Sequence, residues 1–525
     1  RISVMRLHDY LEFYARERPN VDFVVMGNRS LTYAEADTRA NKLANAFAAA
    51  GLQKGDRFTY VSKNSLEYPI VYFGASKAGV VPVPLNYRLA PPEWAYIVND
   101  SQSKMLLSSA EYQEGIDAIR GELETVGKYI SIEGDGESRW DDFNVWVDGQ
   151  PDSRPAREVD HGDDLYQMYT SGTTGRPKGT VLAHEAVTAN MTQATQIINI
   201  EQGDRDLIIA PLYHAAAALT AFAVVGMGGT LVIHEDFIPP DVVRALSQGN
   251  IAYTTMVPAM IQACLVYVPD VAERNYDTLK GITYGASPIA EQTLRRAMEV
   301  FKCDFTQVYG MTELTACVTS MSPSDHSRAL ESKSELLLSA GRPVVGAEIR
   351  IVDEDDNDLP NGTIGEIIVN GPQVMKGYWN LQDESDEALR GGWMHTGDAG
   401  VVDDEGYLYV QDRVKDMIVS GGENVYPRVV EDVLFTHPAV ADSAVIGVPD
   451  AQWGEAVKAL VVLREGASAT DEEIMEFCLG KLGGFERPRS VDFVTELPRN
   501  ATGKVLKRVL REPYWEGHGR RVAGV

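Results

Sequence analysis

The sequence predicts an α/β protein, with a large N-terminal domain of helix-covered sheets that includes a small β subdomain, and a smaller C-terminal α+β domain. Three observations predict it. Apolar strand-like runs alternate with amphipathic helical patterns up to about residue 330. From 341 to 411 the texture changes to short strands with turn signals, as in AEIRIVDEDDNDLPNGTIGEIIVNG and GVVDDEGYLYVQD. After Asp412 a separate α/β pattern runs for about 110 residues, enough for a domain of its own. The expected domains are therefore 1–411 and 412–525.

The elements follow in order. LTYAEADTRANKLANAFAAAGL places Leu43, Phe47 and Ala50 at helical spacing and stops at Gly51. DRFTYVS reads as a strand, and SLEYPIVYFGASKAGVVPVPL as a helix running into another strand. DLYQMY and TVLA read as two strands with a glycine- and hydroxyl-rich segment between them, and the next helix begins near His184. Leu207 to Ile233 contains no acid, lysine or arginine, but Pro211, Gly226, Gly228 and Gly229 interrupt it and His214 sits inside. A buried helix followed by a strand fits that pattern, and a membrane span does not. In the C-terminal part, PRVVEDVLFTHP is a helix with a proline at each end, and DSAVIGVP and AVKALVVLR are strands. TDEEIMEFCLGKL is a helix opened by a capping box of Thr470 and Glu473, and SVDFVTEL is a final strand.

Composition excludes some functions. The chain has 525 residues, with 44% hydrophobic and 24% charged, the balance of an ordinary globular protein. Its 48 basic and 76 acidic residues give a net charge of −28, which repels nucleic acid and anionic membrane alike. A locally positive site for a small anion is still allowed. Cys264, Cys303, Cys317 and Cys478 form no C-x-x-C pair, and nothing at the N-terminus resembles a signal peptide; reduced thiols in a cytoplasmic protein are expected.

The segment YTSGTTGRPKG (169–179) has the composition of a phosphate cradle. The hydroxyls of Thr170, Ser171, Thr173 and Thr174 are donors, Gly172, Gly175 and Gly179 let backbone amides approach oxygen closely, and Lys178 supplies charge. It does not fit the pattern G-x-x-x-x-G-K-[ST], because Arg176 and Pro177 precede Lys178 and Gly179 stands where a metal-binding hydroxyl would be. Lying between two strands, it reads as a flexible flap.

With four further motifs in order, the chain resembles the adenylate-forming superfamily: acyl-CoA synthetases, aryl-CoA ligases, luciferases and peptide-synthetase adenylation domains. YTSGTTGRPKG is followed by YGMTE (309–313), HTGD (395–398), DRVKDMIVSGGENVYP (412–427) and PRNATGK (498–504), so the resemblance spans essentially the whole chain. It implies ATP, Mg²⁺ and coenzyme A. A carboxylate attacks the α-phosphate of ATP to give an acyl-adenylate, and a thiol then displaces AMP. Lys178 and the loop hydroxyls would hold pyrophosphate. Thr312 would contact the α-phosphate, and Glu313 would hold Mg²⁺. Tyr309, with Gly310 and Met311 of the same motif, would lie against adenine, and the backbone of Gly285, Ala286 and Ser287 would run along its edge. Asp398 would accept the ribose hydroxyls, and Arg413 would reach ribose or phosphate.

His214 alone reads as a packed core residue; the resemblance places it beside the acyl carboxylate. Lys504 would neutralise charge as pyrophosphate leaves. Around it, Lys481, Arg487, Arg489, Arg499, Lys504, Lys507, Arg508 and Arg511 outnumber Glu486, Asp492 and Glu496, in contrast to the acidic whole. Family members rotate a mobile C-terminal domain between half-reactions, here about Lys415. That motion would bring Gly421 and Gly422 to line a coenzyme A path. LIIAPLYHAAAALTAF contains no acid to pair a substrate ammonium, which favours an uncharged acyl tail. The chain most resembles bacterial fatty-acyl and short- or medium-chain acyl-CoA synthetases, which implies a fatty or other small to medium acid, with an aryl-CoA ligase as the alternative. No carrier-protein segment follows PRNATGK, which favours coenzyme A as acceptor. The expected partner is a small carboxylic acid, without nucleic acid or integral membrane contact, for a monomer or a homodimer. A phosphate-releasing NTPase, against which the displaced lysine counts, and a luciferase-like oxygenase are the competing readings.

Overall fold

The computed structural model describes residues 5–133, 139–170, 177–285, 289, 291–413, 416–420, 423–450, 453–499 and 505–516. The chain packs as two compact units, 1–348 with 369–394, and 349–368 with 395–525. This division differs from the boundary expected at 411/412: residues 349–368 and 395–411 group with the C-terminal residues.

The first unit holds two large sheets. One has nine strands, and six of them run parallel in the order Asp304–Tyr309, Gly281–Gly285, Tyr253–Met256, Arg205–Ile208, Thr230–Ile233, Asp22–Met26. The second has five parallel strands in the order Val81–Pro84, Arg57–Val61, Met105–Ser108, Lys128–Ser131, Asp141–Asp142. Parallel strands need helical crossovers, and those helices supply the alternation read in the sequence. Helix Tyr33–Ala49 opens with a capping box of Thr32 and Glu35. Helix Glu67–Ala78 is buried along its whole length, and most of its side chains are apolar or aromatic. Its one cation, Lys77, is 2% exposed and satisfied by Glu12 (3.0 Å), Asp37 (2.7 Å) and Asn41 (2.7 Å). Aromatic rings interlock between these layers, with Phe23 edge-on to Tyr33 and Phe73, and Tyr72 edge-on to Phe222.

A third, antiparallel sheet holds the two strands on either side of residues 171–176. Strands Asp164–Thr170 and Lys178–Ala183 form a hairpin, in register from Tyr166↔Leu182 to Thr170↔Lys178. Gly377–Tyr378 adds a third strand, with Gly377 opposite Val181. The stretch 207–233 is the end of one strand, the buried helix Ala215–Gly226 and the strand Thr230–Ile233. Among the described residues, no helix is long and apolar enough to cross a membrane.

The second unit contains a four-stranded sheet of Glu348–Val352, Gly365–Asn370, Met394–Val402 and Leu408–Arg413. It also contains a five-stranded sheet in which Glu423–Val425, Ile418–Ser420, Gly454–Leu463 and Val440–Asp450 lie side by side, with Ser490–Phe493 parallel to Gly454–Leu463. Helices Pro427–Phe435 and Asp471–Phe477 cover it around Val430, Leu434, Val457, Val461 and Ile474. Helix Lys507–Trp515, absent from the sequence prediction, packs beside strand Val440–Asp450. Residues 341–411 are not all β either: Gln382–Ala388 within them is a helix.

Candidate active site

In open α/β sheets, ligands bind beyond the carboxyl ends of the parallel strands. Gly285, Tyr309 and the segment leading to His214 all occupy that edge of the nine-stranded sheet. Gly285 ends its strand opposite Val308, where a Cβ would stand 2.6 Å from the Val308 carbonyl oxygen. Gly310 follows Tyr309, and a Cβ there would lie 1.9 Å from the carbonyl oxygen of Ala316. Only glycine permits that crossing, which folds Met311 to Thr315 into a tight turn with Thr312–Leu314 as one turn of 3₁₀-helix. The turn is tied down from outside: the Thr315 hydroxyl donates to the Gln373 carbonyl (2.9 Å), and Met375 N–H donates to the Glu313 carbonyl (2.8 Å).

The Glu313 side chain is 6% exposed, and one of its oxygens accepts from the Tyr378 hydroxyl at 3.0 Å. The same Tyr378 ring lies 4.8 Å from Lys178 Nζ. Lys178 of the loop and Glu313 of the YGMTE turn, far apart in sequence, thus converge on one phenol. Nothing in the sequence prediction pointed to Tyr378. It belongs to no motif, and it arrives only through the pairing of Gly377–Tyr378 with strand Lys178–Ala183.

His214 stands at the N-terminus of helix Ala215–Gly226, its ring 4.4 Å from that of Tyr213. The segment before it is fixed by Asn64, which donates to the Ala210 carbonyl (3.0 Å) and accepts from Leu212 N–H (2.8 Å). His214 is half-buried overall, yet its Nε2 is covered and has no hydrogen-bond partner. Burial, then the positive field of Arg88, lowers its pKa to about 4. It is therefore neutral at physiological pH, able to hydrogen-bond a ligand but not to ion-pair with one.

The second unit carries Asp398, 6% exposed, on strand Met394–Val402 and in register with Arg413 on the neighbouring strand. The Thr396 hydroxyl shapes the approach, donating to the Ile367 carbonyl (2.7 Å) and accepting from Asp398 N–H (3.1 Å). Glu366 accepts from Gly397 N–H (3.0 Å), and its other oxygen bonds His395 Nδ1 (3.0 Å). Arg499 and Val505 pair across the PRNATGK segment, and Leu506 N–H donates to the Pro498 carbonyl (2.8 Å). Much of the basic character nearby is spent on internal pairs: Arg499 with Asp442, Lys507 with Glu431, Arg508 with Glu512 and Arg511 with Asp416. Ser171, Gly172, Thr173, Thr174, Gly175, Ala286, Ser287, Lys415, Gly421, Gly422 and Lys504, and the Arg413 side chain, lie outside the described residues.

Among the described residues, no three His, Cys, Asp or Glu side chains cluster as a metal cage. One buried carboxylate oriented by a phenol suits Mg²⁺, which takes one or two carboxylates and fills its remaining positions with water and substrate phosphates. The three thiols Cys264, Cys303 and Cys317 are pushed up to about 12 by burial and are chemically inert there.

Residues 11–379 match the family described as AMP-binding enzyme, and 429–504 match the AMP-binding enzyme C-terminal domain. A fatty acid–[acyl-carrier-protein] ligase of Streptomyces coeruleorubidus is 36% identical over 516 residues, covering 97% of this chain and 96% of that protein. A feruloyl-CoA synthase of an Amycolatopsis species is 36% identical, covering 95% and 97%. Among solved structures, a Mycobacterium tuberculosis fatty acyl CoA synthetase matches with a TM-score of 0.80 and 33% identity over 98% of this chain and 99% of that one. The phosphate loop, the YGMTE turn and the HTGD strand thus stand in a chain that belongs to the AMP-binding enzyme family, the AMP-forming acyl-CoA synthetases that use ATP, Mg²⁺ and coenzyme A.

Proposed function

We propose that the protein activates an uncharged fatty or aromatic carboxylic acid as its acyl-adenylate and passes the acyl group to coenzyme A, with labour divided among the residues as follows. Lys178 and the loop hydroxyls hold the β- and γ-phosphates, and Thr312 contacts the α-phosphate. Glu313 ligates Mg²⁺, which neutralises phosphate charge when bound. Tyr309, Gly310, Met311 and the Gly285–Ser287 backbone seat adenine, and Asp398 and Arg413 hold the ribose. Neutral His214 donates to the acid's carboxylate without forming an ion pair that would hold it back from attack. Lys504 approaches as pyrophosphate leaves, and a hinge at Lys415 then brings Gly421 and Gly422 to the thiol path. On this reading 1–411 and 412–525 are the moving parts of a cytoplasmic enzyme, monomeric or homodimeric, a choice that light scattering decides.

The convergence of Lys178 and Glu313 on Tyr378 carries this reading, because a phosphate-gripping lysine and a metal carboxylate must serve one polyphosphate. The helix Ala215–Gly226, which carries no charged side chain, favours an uncharged acyl tail. The test measures AMP and pyrophosphate release over a panel of fatty and aromatic acids, with and without coenzyme A. ADP as product would overturn the assignment. A carrier-protein acceptor is the second reading, because the Streptomyces relative is named for that acceptor. Replacing coenzyme A by a phosphopantetheinylated carrier protein separates the two.

A further inference from the structure

The neck of the phosphate loop is gripped on both stems by one helix. On the incoming stem, the Tyr169 hydroxyl donates to Asp100 at 2.5 Å and accepts from Gln167 Nε2 at 3.1 Å. On the outgoing stem, the Tyr96 hydroxyl donates to the Pro177 carbonyl at 3.1 Å. Tyr96 and Asp100 both lie on helix Pro91–Asp100, one turn apart. Behind them, Trp379 closes the arrangement: its N–H donates to the Gly179 carbonyl (2.7 Å) and its indole to the Asp100 carbonyl (3.1 Å). Arg57 stacks on the Trp379 ring at 3.6 Å and donates to Gln167 (3.1 Å) and Asp164 (2.6 Å). The last glycine of the motif fits the same picture. A Cβ on Gly179 would stand 2.9 Å from the Tyr169 ring and 2.6 Å from Gln167, pushing the phenol off Asp100. The half-buried Tyr169 phenol is held protonated, as a donor, by burial and by Asp100.

A loop that must grip pyrophosphate and then release it needs a fixed base, because a displacement of about 1 Å costs about 10²-fold in rate. We propose that Tyr169, Tyr96 and Asp100 are positioning residues that clamp both stems of the phosphate loop and set its register on the β- and γ-phosphates of ATP. The proposal rests on the loop's assignment to pyrophosphate. The loop meets the β- and γ-phosphates only during adenylation, so the clamp bears on that half-reaction and not on thiol attack.

The experiment compares Tyr169→Phe, Tyr96→Phe, Asp100→Ala and Asp100→Asn in the full chain, with Lys178→Ala as the control for the loop itself. ATP–pyrophosphate exchange reads adenylation, thioester formation from preformed acyl-adenylate reads the second step, and thermal melting reads folding. Tyr169→Phe and Asp100→Ala should raise KM for ATP and lower exchange about 10-fold or more, with thioester formation within about twofold. Asp100→Asn keeps an acceptor for the Tyr169 hydroxyl and should recover most of the exchange. Equal loss in both half-reactions, or loss of exchange that merely follows a lowered melting temperature, would mean a structural role and overturn the clamp. So would wild-type exchange in Tyr169→Phe and Asp100→Ala. Wild-type exchange in Lys178→Ala would instead overturn the pyrophosphate assignment.

Discussion

Replacing Tyr378 by phenylalanine removes one oxygen and leaves the ring beneath Lys178. What is lost is the 3.0 Å hydrogen bond to Glu313. A hydrogen bond to a charged group contributes about 1.5–3 kcal/mol, and at about 1.4 kcal/mol per decade that is between one and two orders of magnitude. Groups that orient a metal ligand independently give a loss of about 10–100-fold in metal affinity or activity. The two routes agree, so Tyr378→Phe should need about 10–100-fold more Mg²⁺ to reach half-maximal exchange. Lys178 keeps its contact with the ring at 4.8 Å, so KM for ATP at saturating Mg²⁺ should change little. Tyr378→Ala removes the ring as well and should add a penalty of about 0.5–1 kcal/mol, a few-fold, to ATP affinity. The assay is ATP–pyrophosphate exchange titrated with Mg²⁺ for each variant. If Tyr378→Phe shows a wild-type Mg²⁺ dependence, Tyr378 does not orient a metal ligand, and the metal assignment of Glu313 loses its geometric support.

Two further outcomes are expected. Lys504→Ala should lower adenylate formation about 10²–10³-fold while preformed acyl-adenylate is still converted to thioester; equal loss in both steps would refute a lysine used in one half-reaction only. Buried His8 and His184 have pKa values lowered to about 3 and about 4 by burial, with His8 pressed further by its neighbour His184. Both folded values lie below the ordinary 6.5, so their contribution is fully present above pH 6.5 and is lost as pH falls towards 4 and then 3. The melting temperature should therefore drop from pH 7 to pH 5, and drop less in a His8→Asn/His184→Asn variant; equal drops would exclude the pair as the cause.

The sequence was most legible where local pattern and burial coincide. The helix starting at His184 and the capping box at Thr470 stand where they were read, whereas Thr170, Lys178 and Gly179, expected in a loop, belong to the two flanking strands. Glycines with a backbone reason, such as Gly310, were visible as motif members, although their cause, an Ala316 carbonyl that would stand 1.9 Å from any Cβ, was not. Tyr378, Tyr96 and Asp100 were invisible because their roles come from pairing between distant segments, which no spacing rule encodes. Helix Lys507–Trp515 was missed for a local reason: KRVLREPYW carries Pro513 and is polar on average, and only packing on strand Val440–Asp450 gives its one apolar face, Leu510 and Tyr514, a partner. The stretch from 481 to 511 read as basic surroundings for Lys504, and four of its cations pair with Asp442, Glu431, Glu512 and Asp416.

The return of residues 369–394 to the first unit has a consequence for how the protein is made. A chain emerging from the ribosome can complete the nine- and five-stranded sheets from residues up to 343, but the third strand of the loop sheet, Gly377–Tyr378, comes only after the chain has passed through residues of the other unit. Until then the phosphate hairpin has an unpaired edge, and Glu313 and Lys178 lack the phenol they share. A truncated chain ending before residue 369 would carry the motifs at 169–179 and 309–313 and still lack the strand that brings Tyr378 between Lys178 and Glu313. The grouping of Lys178, Tyr378 and Glu313 is therefore completed late in synthesis, a form of timing written into the chain's route.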